Sequence, residues 1–402
     1  MSFGEMWESL LPIGRDAATG GHHRFAWTEA ELACRAWFAE QARARGLDLE
    51  PDRNGNLVAW WGTPGPDAVV TGSHLDSVPG GGAFDGPLGV VSALAAIDLL
   101  REGGVRPVRP IGVAVFAEEE GARFGVACLG SRLLTGAIDP DRARTLRDAG
   151  GTSLAETLAA HGIDPYGIGR DDDLLGRIGC FVELHVEQGR ALEAPVGVAS
   201  AIWPHGRWRF DFTGQGNHAG TTRLADRHDP MVPFARLVLA ARQSAARHDA
   251  LATVGKVAVT PGGVNAIPSA VTAWLDARGP SDQAVRDTLD EIGEQARRAA
   301  VGHGLSVTWT QESYTQVVDF PGDLRDRIAD AIVKAGLPAP PALPTGAGHD
   351  AGILAAHVPT AMIFVRNPTG ISHAPEEYAE PDDCLAGVAA LAAVLADLGA
   401  RA

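Results

Sequence analysis

A buried strand that runs into a histidine constrains this chain more than any other feature. Ala68-Val69-Val70-Thr71 leads directly into Gly72-Ser73-His74-Leu75-Asp76-Ser77-Val78-Pro79-Gly80-Gly81-Gly82-Ala83-Phe84-Asp85-Gly86. Side chains at a strand end can converge on a site. His74 can ligate a metal, and Asp76 can hydrogen-bond the other ring nitrogen and fix its tautomer. The glycine run lets the chain fold back sharply, which would bring Asp85 beside His74. Pro87 stands where the first residue of a helix would, opening an apolar helix through Leu100. The plain alternative is a polar loop with one surface histidine, and this stretch alone does not decide between the two.

The pattern recurs. Ile111 to Phe116 predicts a second buried strand, ending in Ala117-Glu118-Glu119-Glu120-Gly121, and Gly179 to His185 predicts a third, ending in Glu183-Leu184-His185-Val186-Glu187-Gln188-Gly189. Strand, helix, strand is a βαβ unit. The expected fold class is therefore α/β, a mixed or mostly parallel sheet with helices on both faces. In such folds the site lies at the carboxyl ends of the strands. Upstream, residues 1–27 read as irregular and Gly-rich, with Arg24 to Trp27 as an anchor. Thr28 and Glu31 form a capping-box signature for a helix to about Arg45.

Composition shifts at Trp203-Pro204-His205-Gly206. From Arg207 to Ser313 the predicted order is βαββαβ, the ferredoxin-like arrangement. Residues 204–318 are thus expected to be an inserted domain, and residues 1–203 with 319–402 the domain that carries the site. After Phe320 come a helix, a strand over Thr360–Val365 and an Ala/Leu-rich helix from Asp382.

The chain has 34 basic and 50 acidic residues, a formal charge of −16, which disfavours nucleic acid or an anionic membrane as the main partner. No apolar run is long enough to cross a membrane, and the N-terminus lacks the pattern of a signal peptide. The 4 cysteines form no CxxC pair and are expected to be reduced thiols of a cytoplasmic protein. Gly346 to Ala351 fits G-x-G-x-x-A but follows Pro-rich loop sequence rather than a strand, so dinucleotide binding is not expected.

The metal-capable residues at strand ends or in tight loops are His74, Asp85, Glu119, Glu120, His185 and His373. Two histidines and a shared carboxylate could hold one ion. The same carboxylate with a glutamate and a third histidine could hold another, leaving one glutamate as base. Two ions about 3.5–4 Å apart activate a water and polarise a carbonyl. Mixed nitrogen and oxygen ligands suit zinc, manganese or cobalt. His349 and Asp350 are expected only to shape their loop, and the His22–His23 pair to be solvated.

The segments GSHLDSVPGGGAFDGPLG, AEEEGARFG, ELHVEQGRALE, NHAGTT, GGVNAIP, LDAR, GAGHDA and SHAPEE together resemble the peptidase M20 family of dinuclear metallohydrolases. The likeness covers nearly the whole chain. It is greatest to the amidohydrolase branch of allantoate amidohydrolase, N-carbamoyl-L-amino-acid hydrolase and β-ureidopropionase. The resemblance implies that His74 and His185 hold one metal, that Glu120 and His373 hold the other, that Asp85 bridges and that Glu119 is the general base. A histidine at position 185 marks the ureido-hydrolysing branch. Gln188, and from the inserted domain His218, Asn265 and Arg278, are implied in substrate binding. For Arg278 the plain alternative is a surface ion pair with Asp276. The same likeness implies that the inserted domain is a lid and makes a homodimer. Ala83, Arg223 and Thr345 depart from the usual pattern without removing a ligand. The implied substrate is a small ureido-carboxylate; Pro12 to Trp27 and Asn217 to Arg223, with polar Arg223, Thr345 and His349, look most like the allantoate branch.

Overall fold

In the computed structural model, which describes residues 1–399, the chain divides into two units, Met1–Ala201 with the chain from Asp319 onward, and Ile202–Val318. The first is built on a mixed sheet containing β1 (Asp48–Pro51), β2 (Leu57–Trp61), β3 (Ala68–His74), β4 (Ile111–Phe116), β5 (Ile178–Val186) and β6 (Val196–Ile202). The order is β1-β2-β4-β3-β5, then Thr360–Val365, then β6 and the short Val318–Asp319, with Ala342–Thr345 also on β6. β3 runs parallel to β4 and β5, and Thr360–Val365 parallel to β5. β1, β2 and β6 pair antiparallel.

Every residue of β3, β4 and Thr360–Val365 is buried. That is why these strands read as continuous apolar runs rather than alternating ones. β4, β3 and β5 are neighbours, so His74, the acidic turn after Phe116 and the end of β5 meet at one edge of the sheet. The helices Pro87–Glu102 and Pro381–Gly399 pack with the sheet into one apolar core that includes Leu88, Leu94, Leu184, Ile363 and Leu391. Contact there is close: a Cβ at Gly89 would collide with the Leu184 carbonyl.

The second unit has a four-stranded antiparallel sheet in the order Ser306–Thr315, His205–Thr213, Ala270–Arg278, Leu251–Thr260. Its helices are Met231–Arg247 and Asp282–Gly302. In His205–Thr213 alternate residues point inward, so Trp208, Phe210 and Phe212 form the core with Leu237, Leu275 and Ile292. A separate two-residue ribbon pairs Asn217–His218 with Ala266–Ile267.

The N-terminal segment differs from expectation. Phe3–Leu10 is a helix, started by a capping box in which Ser2 Oγ accepts from Glu5 N–H and the Glu5 carboxylate accepts from Ser2 N–H. The glycines further on had obscured this Ser-x-x-Glu signal. At the next helix, Glu29–Ala44, the capping box does not form. Glu31 reaches one residue further back and accepts from Trp27 N–H at 2.8 Å, while Thr28 Oγ1 donates to the Phe25 carbonyl. His22 is not solvated; it is buried, with Nε2 2.9 Å from the Leu11 carbonyl.

Arg24 explains how this segment is fastened. It is 2% exposed and has no carboxylate partner among the described ion pairs. Its guanidinium donates to the carbonyls of Ile13 at 2.8 Å and Leu10 at 3.1 Å. A cation is favourable there because Leu10 ends the first helix, where unpaired carbonyls carry partial negative charge. Its own N–H donates to Ser77 Oγ in the glycine-rich loop, and Ser77 N–H returns a bond to the Arg24 carbonyl. Arg24→Met is expected to leave the Ile13 carbonyl without its donor and to lower stability by about 1–3 kcal/mol. Urea unfolding followed by circular dichroism measures it, and unchanged stability would refute the fastening role.

Candidate metal centre

β3 delivers His74 in a fixed pose. The ring Nδ1 lies 3.1 Å from the Asp76 main-chain carbonyl. A carbonyl can only accept, so Nδ1 carries the proton and Nε2 presents a lone pair. Nε2 is buried without a hydrogen-bond partner, 3.4 Å from Asp85 Oδ1 and 3.7 Å from Glu119 Oε2. The Asp76 carboxylate does not take the role expected of it on the His74 ring, from which it stands 3.6 Å away. Its two oxygens accept instead from Glu119 N–H at 3.2 Å and Glu120 N–H at 3.1 Å. Asp76 thus ties the turn after β4 to the loop after β3. A bend that puts the main-chain carbonyl under the ring leaves the carboxylate free to reach across.

His185, near the end of β5, repeats the logic. Nδ1 lies 2.9 Å from the Val186 carbonyl, so Nε2 is again the bare nitrogen; it accepts from Gly86 N–H at 3.2 Å and lies 3.2 Å from Asp85 Oδ1. Asp85 sits between the groups. Oδ1 faces His74 and His185, whereas Oδ2 lies 3.2 Å from His373 Nε2, which is itself 3.5 Å from Glu120. Two sets result, His74 with Asp85 and His185, and Asp85 with Glu120 and His373, each with ligand atoms within 4.8 Å of one another. Gln188 Nε2 donates to Asp85 Oδ2 at 2.7 Å. In the side chains by themselves, bare imidazole nitrogens face carboxylate oxygens, an arrangement that calls for cations between them. Residue type, tautomer and spacing all fit divalent metal.

Electrostatics point the same way. Burial works against His74 protonation, yet the charges of Glu119, Asp76 and Asp85 hold its pKa well above the ordinary imidazole range. Burial pushes Glu119 well above the carboxylate range and Glu120 up to about 7, the latter with help from Asp85. Burial opposes ionisation of Asp85 too, but the adjacent imidazoles of His185, His373 and His74 hold it well below the usual range. His373 is raised to about 9, first by its bond to Asp85. Such a crowd of buried acids is costly without compensating positive charge.

Glu119 stands apart. Its Oε1 accepts from the Cys128 thiol at 3.1 Å. Cys128 opens the helix Leu129–Thr135 with a left-handed φ of 54°, which turns its thiol inward. The sequence gives no sign of this contact, since a lone cysteine three residues beyond AEEEGARFG matches no ligand or nucleophile pattern. Neither His349 nor Asp350 is a mere loop former: the His349 ring lies 4.5 Å from that of His185, and Asp350 accepts from Ser131 and is raised to about 8 by burial.

The residues expected from the inserted segment lie in the second unit. The ribbon holds His218 and Asn265 together, with Ala219 N–H donating to the Asn265 carbonyl at 2.9 Å. His218 is exposed and its Nδ1 accepts from Gly220 N–H. Arg278 pairs with Asp276, Nε to Oδ1 at 2.8 Å. Arg223 pairs with Asp226, and Thr345 Oγ1 accepts from Ala347 N–H.

Residues 70–397 match peptidase family M20/M25/M40. The chain is 36% identical to an N-carbamoyl-L-amino acid amidohydrolase of Geobacillus stearothermophilus over 398 residues, 96% of each chain. It is 34% identical to an allantoate amidohydrolase of Escherichia coli K12, covering 97% of this chain and 95% of that one. A ureidoglycolate hydrolase of Arabidopsis thaliana is 33% identical, covering 95% and 83%. The fold matches the crystal structure of a hydantoinase/carbamoylase-family amidase from Burkholderia vietnamiensis with a TM-score of 0.89 and 31% identity, over 100% of this chain and 98% of that one. The family match and the named amidohydrolases make this a hydrolase acting on C–N bonds, and the histidine–carboxylate groups at the strand ends fit the metal-dependence of that class. More particularly, the chain belongs to the peptidase M20 family and is one of its amidohydrolases.

Gly86 has a φ of 83°, and a Cβ there would fall 2.5 Å from the His74 ring. Gly86→Ala is expected to displace that ring and weaken metal binding about tenfold or more, the scale seen when a ligand's support is lost. Metal analysis after dialysis reports the outcome, with far-UV circular dichroism as the check on folding.

Proposed function

We propose that this protein is a dinuclear metal-dependent amidohydrolase that cleaves the linear ureido C–N bond of a small carboxylated substrate. The observation that carries this is the division of Asp85, with one oxygen facing His74 and His185 and the other facing His373. His74 and His185 would hold one ion and Glu120 and His373 the other, with Asp85 common to both. Bound Zn²⁺, Mn²⁺ or Co²⁺ supplies the positive charge that acidifies a water and polarises the ureido carbonyl.

Glu119 is the base. It takes a proton from the attacking water as the oxygen adds to the ureido carbon, then gives that proton to the departing nitrogen. Burial raises its proton affinity, which suits a group that must first accept and then donate. We assign to Arg278 the substrate carboxylate, which its planar guanidinium can take in bidentate fashion once Asp276 yields. His218 is assigned to the developing oxyanion, and Asn265 and Gln188 to substrate binding. We further assign a homodimer through the second unit, whose edge strand Leu251–Thr260 leaves Leu251 and Val257 exposed, and a cytoplasmic setting, in keeping with four free, buried cysteines.

Allantoate is the substrate proposed first, on the likeness of Pro12 to Trp27 and Asn217 to Arg223 to that branch. An N-carbamoyl-L-amino acid is the second reading. It is favoured by the 36% identity to the Geobacillus stearothermophilus enzyme, and by the local pairing of Arg223 and Thr345, which leaves fewer polar groups for a second ureido arm.

Glu119→Gln is expected to retain both ions and lose kcat by about 10³-fold, because proton transfer is removed. Glu120→Gln is expected to lose metal. Metal content and kcat measured on both variants test the assignment, and equal metal loss in the two would overturn it.

The substrate is decided by kcat/KM for allantoate against N-carbamoyl-L-alanine, N-carbamoyl-L-methionine and β-ureidopropionate on metal-reconstituted protein. Allantoate is expected to lead. A site built to pair a second ureido group discriminates strongly against an apolar side chain, so a carbamoyl amino acid ahead by about tenfold (1.4 kcal/mol) replaces the first substrate with the second.

A further inference from the structure

Glu377 lies outside every set of metal-capable atoms, yet it is 4% exposed and fully engaged. Its Oε1 accepts from the main-chain N–H groups of both Phe84 and Asp85, each at 2.9 Å. Its Oε2 accepts from Ser372 Oγ at 3.0 Å. Phe84 and Asp85 end the glycine-rich loop, and Ser372 immediately precedes His373. One carboxylate therefore joins the loop that carries the shared ligand to the loop that carries the third histidine.

The glycine run acquires a specific meaning here. A Cβ at Gly82 would fall 2.5 Å from Glu377 Oε1. Gly82 does not adopt a left-handed φ, so no turn geometry requires glycine at that position. What requires it is the space taken by the Glu377 carboxylate. The aromatic ring of Phe84 is held on either side, 4.8 Å from Trp7 and 6.1 Å from Tyr378, so the loop is fixed at the very residue whose N–H Glu377 accepts.

We propose that Glu377 is a positioning residue for the metal centre: it holds Asp85 and His373 in register so that the two oxygens of Asp85 address two separate sites. The proposal rests on the dinuclear reading above. The role needs an acceptor for two N–H groups and a partner for a hydroxyl, not a negative charge. Glutamine supplies both, since its oxygen accepts from the two amides and its NH₂ donates to Ser372 Oγ.

The test is Mn²⁺ binding by calorimetry to the metal-stripped full chain as wild type, Glu377→Gln and Glu377→Ala, with thermal unfolding as the folding control. Glu377→Ala is expected to weaken binding at both sites by about 10–100-fold, the range for lost support of a ligand. Glu377→Gln is expected to stay within about threefold of wild type, because the acceptor geometry survives. Wild-type affinity in Glu377→Ala, or equal loss in Glu377→Gln and Glu377→Ala, overturns the proposal while leaving the dinuclear centre in place. Wild-type protein that binds no Mn²⁺ overturns the centre itself. If Glu377→Ala does not fold, Gly82→Ala serves instead: its methyl displaces the same carboxylate and is expected to weaken Mn²⁺ comparably, and unaltered binding there is equally decisive against Glu377.

Discussion

The interaction on which the rest depends is that between one aspartate and three imidazoles. Asp85 is buried, and an ionised carboxylate in such a place is costly unless every lone pair is answered. Here Oδ1 faces two bare ring nitrogens within 3.4 Å and Oδ2 lies 3.2 Å from a third imidazole, so cations between them would answer those lone pairs. Those rings come from the end of β3, from β5 and from a loop some three hundred residues after β3, so the carboxylate fixes the relation between distant parts of the chain. The surrounding structure fixes it in turn. Asp76 holds the turn with Glu119 and Glu120, Gly86 makes room for the His74 ring, and main-chain carbonyls set the tautomers of His74 and His185. Each support is made through the backbone, which makes the geometry insensitive to surface side chains.

The separation of Glu119 from Glu120 follows from the same turn. Glu118 has a left-handed φ of 53°, which directs adjacent acids differently. Glu118 turns back to cap the main-chain N–H groups of Arg123 and Phe124. Glu119 points to His74 and Cys128, and Glu120 to His373. Three identical side chains in sequence thus acquire three environments.

The continuous apolar runs of β3, β4 and β5 made the sheet legible in the sequence, because a strand buried on both faces leaves a signature that no loop imitates. Histidine or acid directly after such a run marked the site. What was not legible depends on contacts across the chain. The Asp76 carboxylate looked like a partner for its neighbour His74, whereas it serves a turn more than forty residues on. Glu31 looked like a capping-box acid and instead reached the residue before. Asp350 and Glu377 stand inside the GAGHDA and SHAPEE segments and Cys128 just beyond AEEEGARFG, yet none of those strings says what the side chain faces; only the fold reveals it. At the N-terminus Ser2 and Glu5 are a legible helix start, but the glycines downstream make the whole segment read as irregular.

The strand Thr360–Val365 lies between β5 and β6, well inside the sheet, although it is the last strand among the described residues. Every strand that β6 pairs with also follows it in sequence. As the chain is synthesised, β5 therefore waits with one open edge and β6 with two, through the whole length of the second unit. Open buried-type edges are sites of misassociation. The insertion that follows β6 is not idle during this interval, for Ile202–Val318 is a compact unit with its own apolar core. The sheet is thus closed only when its last strand arrives, and His373, the third imidazole around Asp85, follows that strand.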